Sequence, residues 1–393
     1  MALNLALIPG DGTGPEVVRE AIKVLDHAAQ QTGLSYTTTE YDLGGERYLR
    51  TGEVINDDDL EQLRRHDAIL LGALGHPNVK PGVLERGILL TLRFRFDQFI
   101  NLRPVKLYPG IDTPIAGKGP DEIDMVVVRE NTEDLYVGAG GIMRKDTPQE
   151  IATQQMIATR FGVERCVRYA FDLARARKAQ GYAGRLTLVH KTNVLTYAGD
   201  TWFRAFQQIG DADYPDIERD YHHVDACCMY LATRPEVYDT VVTPNMFGDI
   251  ITDLGAAIAG GMGIAASGNL NPRFAPGSAE TSEAGQARGE RGPSESSGSG
   301  GPSMFEPVHG SSPDIAGQDK ANPLATIDTL AMLLRETGKQ QSDAAMLEAA
   351  DLVANAVQQV TPNFAGKPLD RSGYSTTQIG DMAVEALGAR AAK

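Results

Sequence analysis

The sequence predicts an α/β protein with a largely parallel sheet. Short apolar segments of strand length alternate along the chain with longer segments in which apolar residues recur at helical spacing. The predicted strands cover residues 3–8, 68–71, 125–128, 186–189 and 241–243. Such alternation is typical of chains in which helices connect parallel strands.

Helical periodicity follows most of these strands. The first predicted helix begins at Pro15, where apolar residues recur on one face and Glu16 lies in the first turn. A long amphipathic helix is predicted over 149–179 and another over 197–209. A further helix is predicted to begin near Gly248.

Length and charge limit the class of protein. A chain of 393 residues, 42% of them hydrophobic, is long enough for two domains. The net charge of −15 argues against binding nucleic acid or an anionic membrane through the overall field. No apolar stretch approaches the ~20 residues of a membrane span.

The cysteines and the first residues predict a cytoplasmic protein. The start of the chain lacks the basic segment and longer apolar run of a signal peptide. Cys166, Cys227 and Cys228 show neither a disulfide framework nor a metal-binding spacing, so we expect reduced thiols.

One segment, 273–303, is dominated by glycine, serine, glutamate, proline and alanine. It has too few large apolar residues to offset the entropy lost on ordering. We therefore expect a low-complexity insert within a domain, with ordered structure resuming at Met304.

The turn Gly10-Asp11-Gly12-Thr13-Gly14-Pro15 follows a predicted strand and precedes a helix. It departs from the Rossmann dinucleotide template because Pro15 takes the place of the last glycine. The spacing alone fits a tight turn as well as a nucleotide-binding turn.

A pair of carboxylates suggests a metal site. Asp249 and Asp253 are four residues apart, so on a helix they share one face. Side-by-side carboxylates repel unless a cation or solvent separates them, and oxygen ligands suit Mg²⁺ or Mn²⁺. An exposed acidic stripe is the alternative. Asp225 is a candidate third ligand.

Several basic residues occur in apolar contexts. Arg93, Arg103 and Arg129 are costly to bury without an anion, and guanidinium groups bind carboxylates in bidentate fashion. Pairing with structural acids is the alternative for each. Lys191 directly follows a predicted strand and could act as a base if its pKa were lowered, whereas a surface lysine is the alternative.

Several longer motifs occur in a specific order: 8–17, 101–104, 128–133, 190–193, 245–253 and 305–317, with Asn322-Pro323. With them the chain resembles the β-hydroxyacid oxidative decarboxylases, which include isopropylmalate, isocitrate, homoisocitrate and tartrate/D-malate dehydrogenases. The resemblance covers nearly the whole chain outside the insert.

The resemblance implies a two-domain α/β fold with a cleft and a cofactor site unlike that of Rossmann proteins. The first domain would combine 1–100 with 258–393 and carry the NAD site. The second, 101–257, would carry the metal site and the interface of a homodimer whose active sites are shared between subunits.

The resemblance also implies roles for the candidate residues. Mg²⁺ or Mn²⁺ would be held by Asp249 and Asp253, with Asp225 supplied by the other subunit. Lys191, also from the other subunit, would be the general base, and Tyr136 the acid that protonates the enolate. The substrate carboxylates would be bound by Arg93, Arg103 and Arg129.

The cofactor would be bound by Glu306, His309, Gly310, Asp314, Ile315 and Asn322. A carboxylate at Asp314 accepts a hydrogen bond from a ribose 2′-hydroxyl and repels a 2′-phosphate. NADP-dependent relatives carry lysine and tyrosine where this chain has Asp314-Ile315. We therefore expect NAD rather than NADP.

Substrate choice is predicted from the segment 84–93. Isocitrate relatives place serine and asparagine there, whereas Leu89 and Leu90 offer an apolar surface that suits an isopropyl group. Asn193 and Val194 continue this pattern, so we expect 3-isopropylmalate and a place in leucine biosynthesis. Segments 93–98, 139–143 and 268–272 resemble the tartrate/D-malate branch. The alternative is therefore a tartrate/D-malate dehydrogenase or another alkylmalate dehydrogenase of the same family. An inactive subunit is a remote alternative, because the set of site residues is complete.

Overall fold

The computed structural model describes residues 2–273, 300–367 and 372–388. The strands are Leu3–Gly10 (β1), Tyr36–Glu40 (β2), Ala68–Ala73 (β3), Ile100–Lys106 (β4), Asp124–Glu130 (β5), Gly140–Met143 (β6), Ile151–Gln154 (β7), Arg185–His190 (β8), Glu218–His223 (β9), Thr240–Thr243 (β10), Ala266–Leu270 (β11) and Ser303–Pro307 (β12).

The α-helices are Gly14–Thr32 (α1), Gly45–Thr51 (α2), Asp57–Leu63 (α3), Thr91–Arg95 (α4), Arg160–Ala179 (α5), Thr196–Asp213 (α6), Val224–Thr233 (α7), Asn245–Ile258 (α8), Leu324–Gln341 (α9), Ala344–Val360 (α10) and Thr376–Leu387 (α11). A π-helical turn at Glu85–Leu90 precedes α4. Single 3₁₀ turns occur at Leu135–Val137, Pro235–Val237, Met262–Ile264 and Thr361–Phe364.

The chain divides into two compact units. The first unit contains Met1–Gln98, Tyr108–Asp112 and Gly260–Lys393. The second unit contains Phe99–Leu107 and Thr113–Ala259. The placing of a cofactor site in one unit, and of a metal site and dimer interface in the other, stays a prediction.

The first unit is built on strands in the order β2-β1-β3-β12-β11. All of the neighbouring pairs are parallel except β11 and β12. All six residues of β3 are buried, as expected for an inner strand of a parallel sheet with both faces covered. Ile8, Ile69 and Phe96 belong to the apolar core on one side of this sheet.

The second unit has strands in the order β4-β5-β10-β8-β9. β4 is antiparallel to β5, and the other neighbouring pairs are parallel. α5 and α6 pack against each other, with Phe171 stacked on Phe206 and Tyr214. The largely parallel strands of each unit confirm the predicted α/β class.

The predicted helix over 149–179 is wrong in its first part. Residues 151–154 form β7, which pairs antiparallel with β6, and the helix begins only at Arg160. The side chain of Thr159 accepts a hydrogen bond from the backbone N–H of Gly162, which is the arrangement of an N-cap. The helix therefore has a defined start at Arg160, eleven residues after Gln149.

Most of the predicted insert, 274–299, lies outside the described residues. Its last residues are anchored: the backbone N–H of Gly301 donates to Phe96, and the Gln98 amide donates to the carbonyl of Pro302. The insert therefore ends before 303, where β12 already begins. Within the described ranges, no helix is long and apolar enough to cross a membrane.

Candidate active site

The acidic pair lies on α8, which begins at Asn245, three residues before the predicted start. Asp249 accepts hydrogen bonds from the Arg129 guanidinium at 2.6 Å and from the Tyr136 hydroxyl at 2.7 Å. Arg129 is fully buried, and Asn245 Oδ1 accepts from its Nε and Nη2 at 3.0 and 2.7 Å. The three predicted residues Arg129, Tyr136 and Asp249 therefore lie in direct contact.

Asp253 lies one turn after Asp249 on the same helix. Burial and the neighbouring Asp249 charge raise the pKa of Asp253, while Arg103 and Arg129 lower it. A divalent cation between the carboxylates would remove this repulsion, so the donor chemistry fits Mg²⁺ or Mn²⁺.

Lys191 and Asp225 form a second group in the same unit. Lys191 Nζ donates to Asp225 Oδ1 at 2.6 Å, and this hydrogen bond is the main cause of the lowered pKa of Asp225. Within the part of the chain that the structure describes, no three His, Cys, Asp or Glu residues form a metal-binding group. Asp225 of the same chain therefore does not complete a three-carboxylate site.

Lys191 lies just beyond β8, next to a buried histidine. The Lys191 backbone N–H donates to His190 Nδ1 at 2.8 Å, and burial lowers the pKa of His190 to about 4. Thr192 is held through its N–H and hydroxyl by the Tyr221 hydroxyl, at 3.1 and 2.8 Å. The backbone that carries Lys191 is thus fixed on both sides.

The other two predicted arginines are buried as well. Arg103 Nε donates to Asn101 Oδ1 at 2.8 Å in the second unit. Arg93 Nη2 lies 3.3 Å from Glu306 Oε1 in the first unit, and Asn269 also donates to that carboxylate. Glu306, which was predicted to bind the cofactor, therefore serves in this state as a buried acceptor for two side chains.

A cavity of about 410 Å³ lies in the first unit beside the loop that follows β12. Three of the predicted cofactor residues, His309, Ile315 and Asn322, line it. Gly310 and Asp314 belong to the same loop but do not line this cavity. Its other lining residues are Thr13, Gly260, Gly261, Met262, Gly263, Ser312, Lys320 and Ala321.

The cavity wall carries buried polar atoms that the described residues leave unpaired. His309 Nε2 and Asn322 Nδ2 have no hydrogen-bond partner there. His309 Nδ1 lies 3.0 Å from the carbonyl of Gly310, and burial lowers the pKa of His309, so the neutral ring presents Nε2 as an acceptor. A ligand that offers one donor and one acceptor, as a nucleotide base does, would satisfy both atoms.

The glycine-rich turn after β1 holds this loop. Gly10 and Gly12 have positive φ values of 72° and 58°, and a Cβ at Gly12 would overlap the carbonyl of Ser311. The backbone N–H of Thr13 donates to the same carbonyl at 2.8 Å. The turn is tight, as one of the two interpretations predicted, and it also places Thr13 on the cavity wall.

The substrate-selecting segment contains the π-helical turn at Glu85–Leu90, a feature found often at functional sites. Leu89 and Leu90 are both half-buried, and Leu89 packs against the core of the first unit. Glu85 lines a second cavity of about 230 Å³ together with Ser311. Asn193 and Val194 are exposed in the turn between β8 and α6.

Sequence reasoning missed Gly260, Gly261, Gly263 and Lys320 in the cavity wall. It also missed Glu130, a buried acid directly after Arg129. The backbone N–H and hydroxyl of Thr132 donate to Glu130 at 2.7 and 2.8 Å. A charged residue closing a run of valines was the available signal for Glu130.

Together these features define an α/β protein with a carboxylate-and-arginine site suited to a metal-chelating anion and a separate cavity suited to a nucleotide. A family model described as isocitrate/isopropylmalate dehydrogenase matches residues 4–383. The chain belongs to the isocitrate/isopropylmalate dehydrogenase family.

Known proteins are similar over nearly the whole chain. A 3-isopropylmalate dehydrogenase of Thermobifida fusca is 52% identical over 379 residues, covering 96% of each chain. One of Streptomyces avermitilis is 50% identical over 380 residues, covering 97% of each. The crystal structure of isocitrate dehydrogenase from Methylococcus capsulatus has a TM-score of 0.78 at 31% identity, covering 98% of this chain and 99% of that one. These matches agree with the α/β fold described above.

Proposed function

We propose that this protein is an NAD-dependent 3-isopropylmalate dehydrogenase that converts its substrate to 4-methyl-2-oxopentanoate and CO₂ in leucine biosynthesis. The observation that carries the proposal is the contact of Asp249 with buried Arg129 and with Tyr136. Relatives that are about half identical over nearly the full length bear the name of this enzyme. Their similarity supports the same substrate for this chain.

The metal ligands in the proposal are Asp249 and Asp253, with Asp225 supplied by a second copy of the chain. When bound, Mg²⁺ or Mn²⁺ supplies Lewis-acid stabilisation of negative charge at the substrate oxygen. Asp249 would hold the metal in place of its hydrogen bonds to Arg129 and Tyr136. The Arg129 guanidinium would then be available for a substrate carboxylate and the Tyr136 hydroxyl for proton transfer.

Arg93, Arg103 and Arg129 bind the substrate carboxylates in this proposal. Their burial makes each guanidinium a strong anion ligand, since few waters compete for it. Leu89 and Leu90 face the isopropyl group, and Asn193 and Val194 of a second copy complete that wall.

Proton transfer is assigned to Lys191 and Tyr136. Lys191 of the second copy, as the neutral amine, accepts the proton of the substrate hydroxyl, and its hydrogen bond to Asp225 Oδ1 keeps it near the metal ligands. Tyr136 donates a proton to the carbon that loses CO₂. Both side chains are half-buried, which limits competition from bulk water.

The cavity of about 410 Å³ is the proposed NAD site. His309 Nε2 and Asn322 Nδ2 supply an acceptor and a donor for the adenine, and Asp314 accepts from the ribose hydroxyl. Gly310 and Ile315 complete the loop around the nucleotide, and Glu306 lies at its start. The three free cysteines agree with a reducing, cytoplasmic location.

The proposal is tested by following NADH formation with Mn²⁺ and a panel of acids: 3-isopropylmalate, isocitrate, homoisocitrate, D-malate and tartrate. We expect kcat/KM for 3-isopropylmalate to exceed that for every other acid. A preference for D-malate or tartrate would contradict the substrate and leave the chemistry in place.

The role of Asp249 is tested with Asp249→Asn. We expect kcat to fall about a thousandfold, because several kcal/mol of Lewis-acid stabilisation is lost. Asp200→Asn is the matched control, since Asp200 is also a helical acid paired with an arginine. Equal activity of Asp249→Asn and Asp200→Asn would contradict the metal site.

A further inference from the structure

Lys320 gives the nucleotide cavity a positive charge that the assigned cofactor residues do not account for. Among the described residues that line the cavity, Lys320 has the one side chain that is charged near pH 7. His309 also lines the cavity, but burial lowers its pKa and keeps its ring neutral. The rest of the wall is glycine backbone, hydroxyl, amide and apolar groups. The wall is therefore complementary to an anion.

The Lys320 ammonium is not neutralised by a carboxylate in the described ranges. Its Nζ donates to the uncharged Gln318 Oε1 at 2.9 Å. The adjacent acid, Asp319, is used elsewhere, because its carboxylate accepts from the backbone N–H and hydroxyl of Thr377 at 3.0 and 2.9 Å. The lysine charge is thus available to a ligand.

Gln318 also connects Lys320 to the residue that carries cofactor choice. Gln318 Nε2 donates to the backbone carbonyl of Asp314 at 2.7 Å, while its Oε1 accepts from Lys320. One amide therefore spans the short distance between the Asp314 backbone and the lysine ammonium. Asp314 itself is exposed, and no ion pair joins the two charges within the described residues.

We propose that Lys320 is a phosphate ligand at the adenosine-ribose end of the cavity, opposed by Asp314. The ammonium attracts a phosphate on the ribose, and the Asp314 carboxylate repels the same group. Cofactor choice is then set by two opposite charges on one loop rather than by Asp314 alone. This inference rests on the proposed nucleotide site.

A consequence is that removing one charge changes the preference. With Asp314 neutralised, Lys320 remains to bind a ribose 2′-phosphate without any further substitution. A charge-assisted hydrogen bond contributes enough free energy for about a tenfold gain in affinity. Because Lys320 is exposed, the gain weakens as salt concentration rises.

The experiment compares AMP with adenosine 2′,5′-bisphosphate, which differ only in the 2′-phosphate, by isothermal titration calorimetry. The proteins are the unchanged chain, Asp314→Asn, Lys320→Gln and the double variant. We expect Asp314→Asn to bind the bisphosphate about tenfold more tightly than the unchanged chain. The double variant is expected to lose this gain. AMP binding to each variant is measured in parallel, so that any loss of the Asp314 contact with the ribose hydroxyl is separated from the effect on the 2′-phosphate.

Lys339→Gln, on an exposed face of α9, is the control for removing a surface charge. Combined with Asp314→Asn, it should leave the gain intact. If Lys320→Gln combined with Asp314→Asn also leaves the gain intact, Lys320 is not a phosphate ligand. The proposal then falls while the nucleotide site stands. If neither AMP nor the bisphosphate binds any variant, the cavity is not a nucleotide site and both proposals fall.

Discussion

Glu130 is a carboxyl group that the fold holds away from water. It lies at the end of β5 and is buried, and burial raises its pKa to about 7 against the hydrogen bonds from Thr132 and Glu133. In the folded protein it therefore keeps its proton at a pH where the unfolded chain would be ionised. The raised pKa makes Glu130 a source of pH-dependent stability.

The sign of this dependence follows from the direction of the shift. Between about pH 4.5 and pH 7 the folded protein binds one more proton at Glu130 than the unfolded chain, so stability falls as pH rises. The change amounts to about 3 kcal/mol across that window, at about 1.36 kcal/mol per pKa unit. Above pH 7 this contribution no longer changes.

Glu130→Gln should remove the dependence. We expect the unfolding free energy of the variant, relative to the unchanged protein, to increase from pH 4.5 to pH 7, as measured by urea unfolding at several pH values. The exposed Glu218→Gln should show no such trend. A difference between Glu130→Gln and the unchanged protein that is constant with pH would contradict the prediction.

At the residue scale, the sequence predicted which side chains lie side by side when both belong to the same helix or strand. Asp249 and Asp253 share a face of α8 because helical geometry requires it. Lys320 and the segment 260–263 reach the cavity through connections between strands and helices, whose paths no periodicity encodes. The proposed roles of the site residues stay predictions.

The start of α5 shows what local pattern can miss. The segment before it has the apolar spacing of a helix, yet it pairs with β6 as an exposed hairpin strand. A short segment can match both the helical and the strand period, so pairing with another part of the chain decides which structure forms. The informative signal was Thr159 followed by Gly162, a candidate N-cap inside the apparent helix.

Removing the Thr159 cap should weaken α5. Thr159→Ala leaves the N–H of Gly162 without its acceptor, and we expect a loss of about 1 kcal/mol in unfolding free energy. Thr159→Ser keeps the hydroxyl and should retain most of the stability. Equal losses in both variants, measured by urea unfolding, would show that the methyl group matters rather than the cap.

The glycines of α8 permit its close approach to the sheet. A Cβ at Gly248 would come 2.7 Å from Arg129 Cβ, and a Cβ at Gly255 would come 2.6 Å from Val105 Cγ2. We expect either alanine substitution to cost about 1–3 kcal/mol of stability by overpacking. Only Gly248→Ala displaces Arg129, so it alone should raise the KM for substrate.

Steady-state kinetics of Gly248→Ala and Gly255→Ala separate these effects. The two variants change the same helix and the same kind of contact, so each controls for the stability loss of the other. A rise in KM for both would mean that helix position, not Arg129, controls substrate binding.

For the whole molecule, the second unit carries large apolar side chains on its surface. They include Val194, Tyr197, Met229 and Ile250, of which Tyr197 is 92% exposed. Such side chains in the segments that carry Lys191, Asp225 and Asp249 support a homodimer with shared sites. The fold class was predictable from alternating patterns, whereas the homodimer stays a prediction from resemblance.

Mixed variants test the shared site. Lys191→Ala and Asp249→Asn should each be inactive, but a mixed dimer rebuilds one complete site from Asp249 of one subunit and Lys191 of the other. Random reassortment should restore about a quarter of full activity. The control is a mixture of Asp249→Asn with Asp253→Asn. Both ligands come from the same subunit, so every site in the mixed dimer lacks one of them and no activity should return. Absence of recovery in the first mixture would contradict sharing.

The contacts that hold the loop after β12 join distant parts of the chain. Thr13 bonds to Ser311 across 298 positions, and Glu16 accepts from Gly317 across 301. A ribosome adds about 5–20 residues per second, so the first turn waits roughly 15 to 60 seconds for its partner. The second unit, nearly continuous in the chain, is finished during that interval. The proposed nucleotide site can therefore form only after Gly317 has been synthesised, when the sequence of the second unit is already complete.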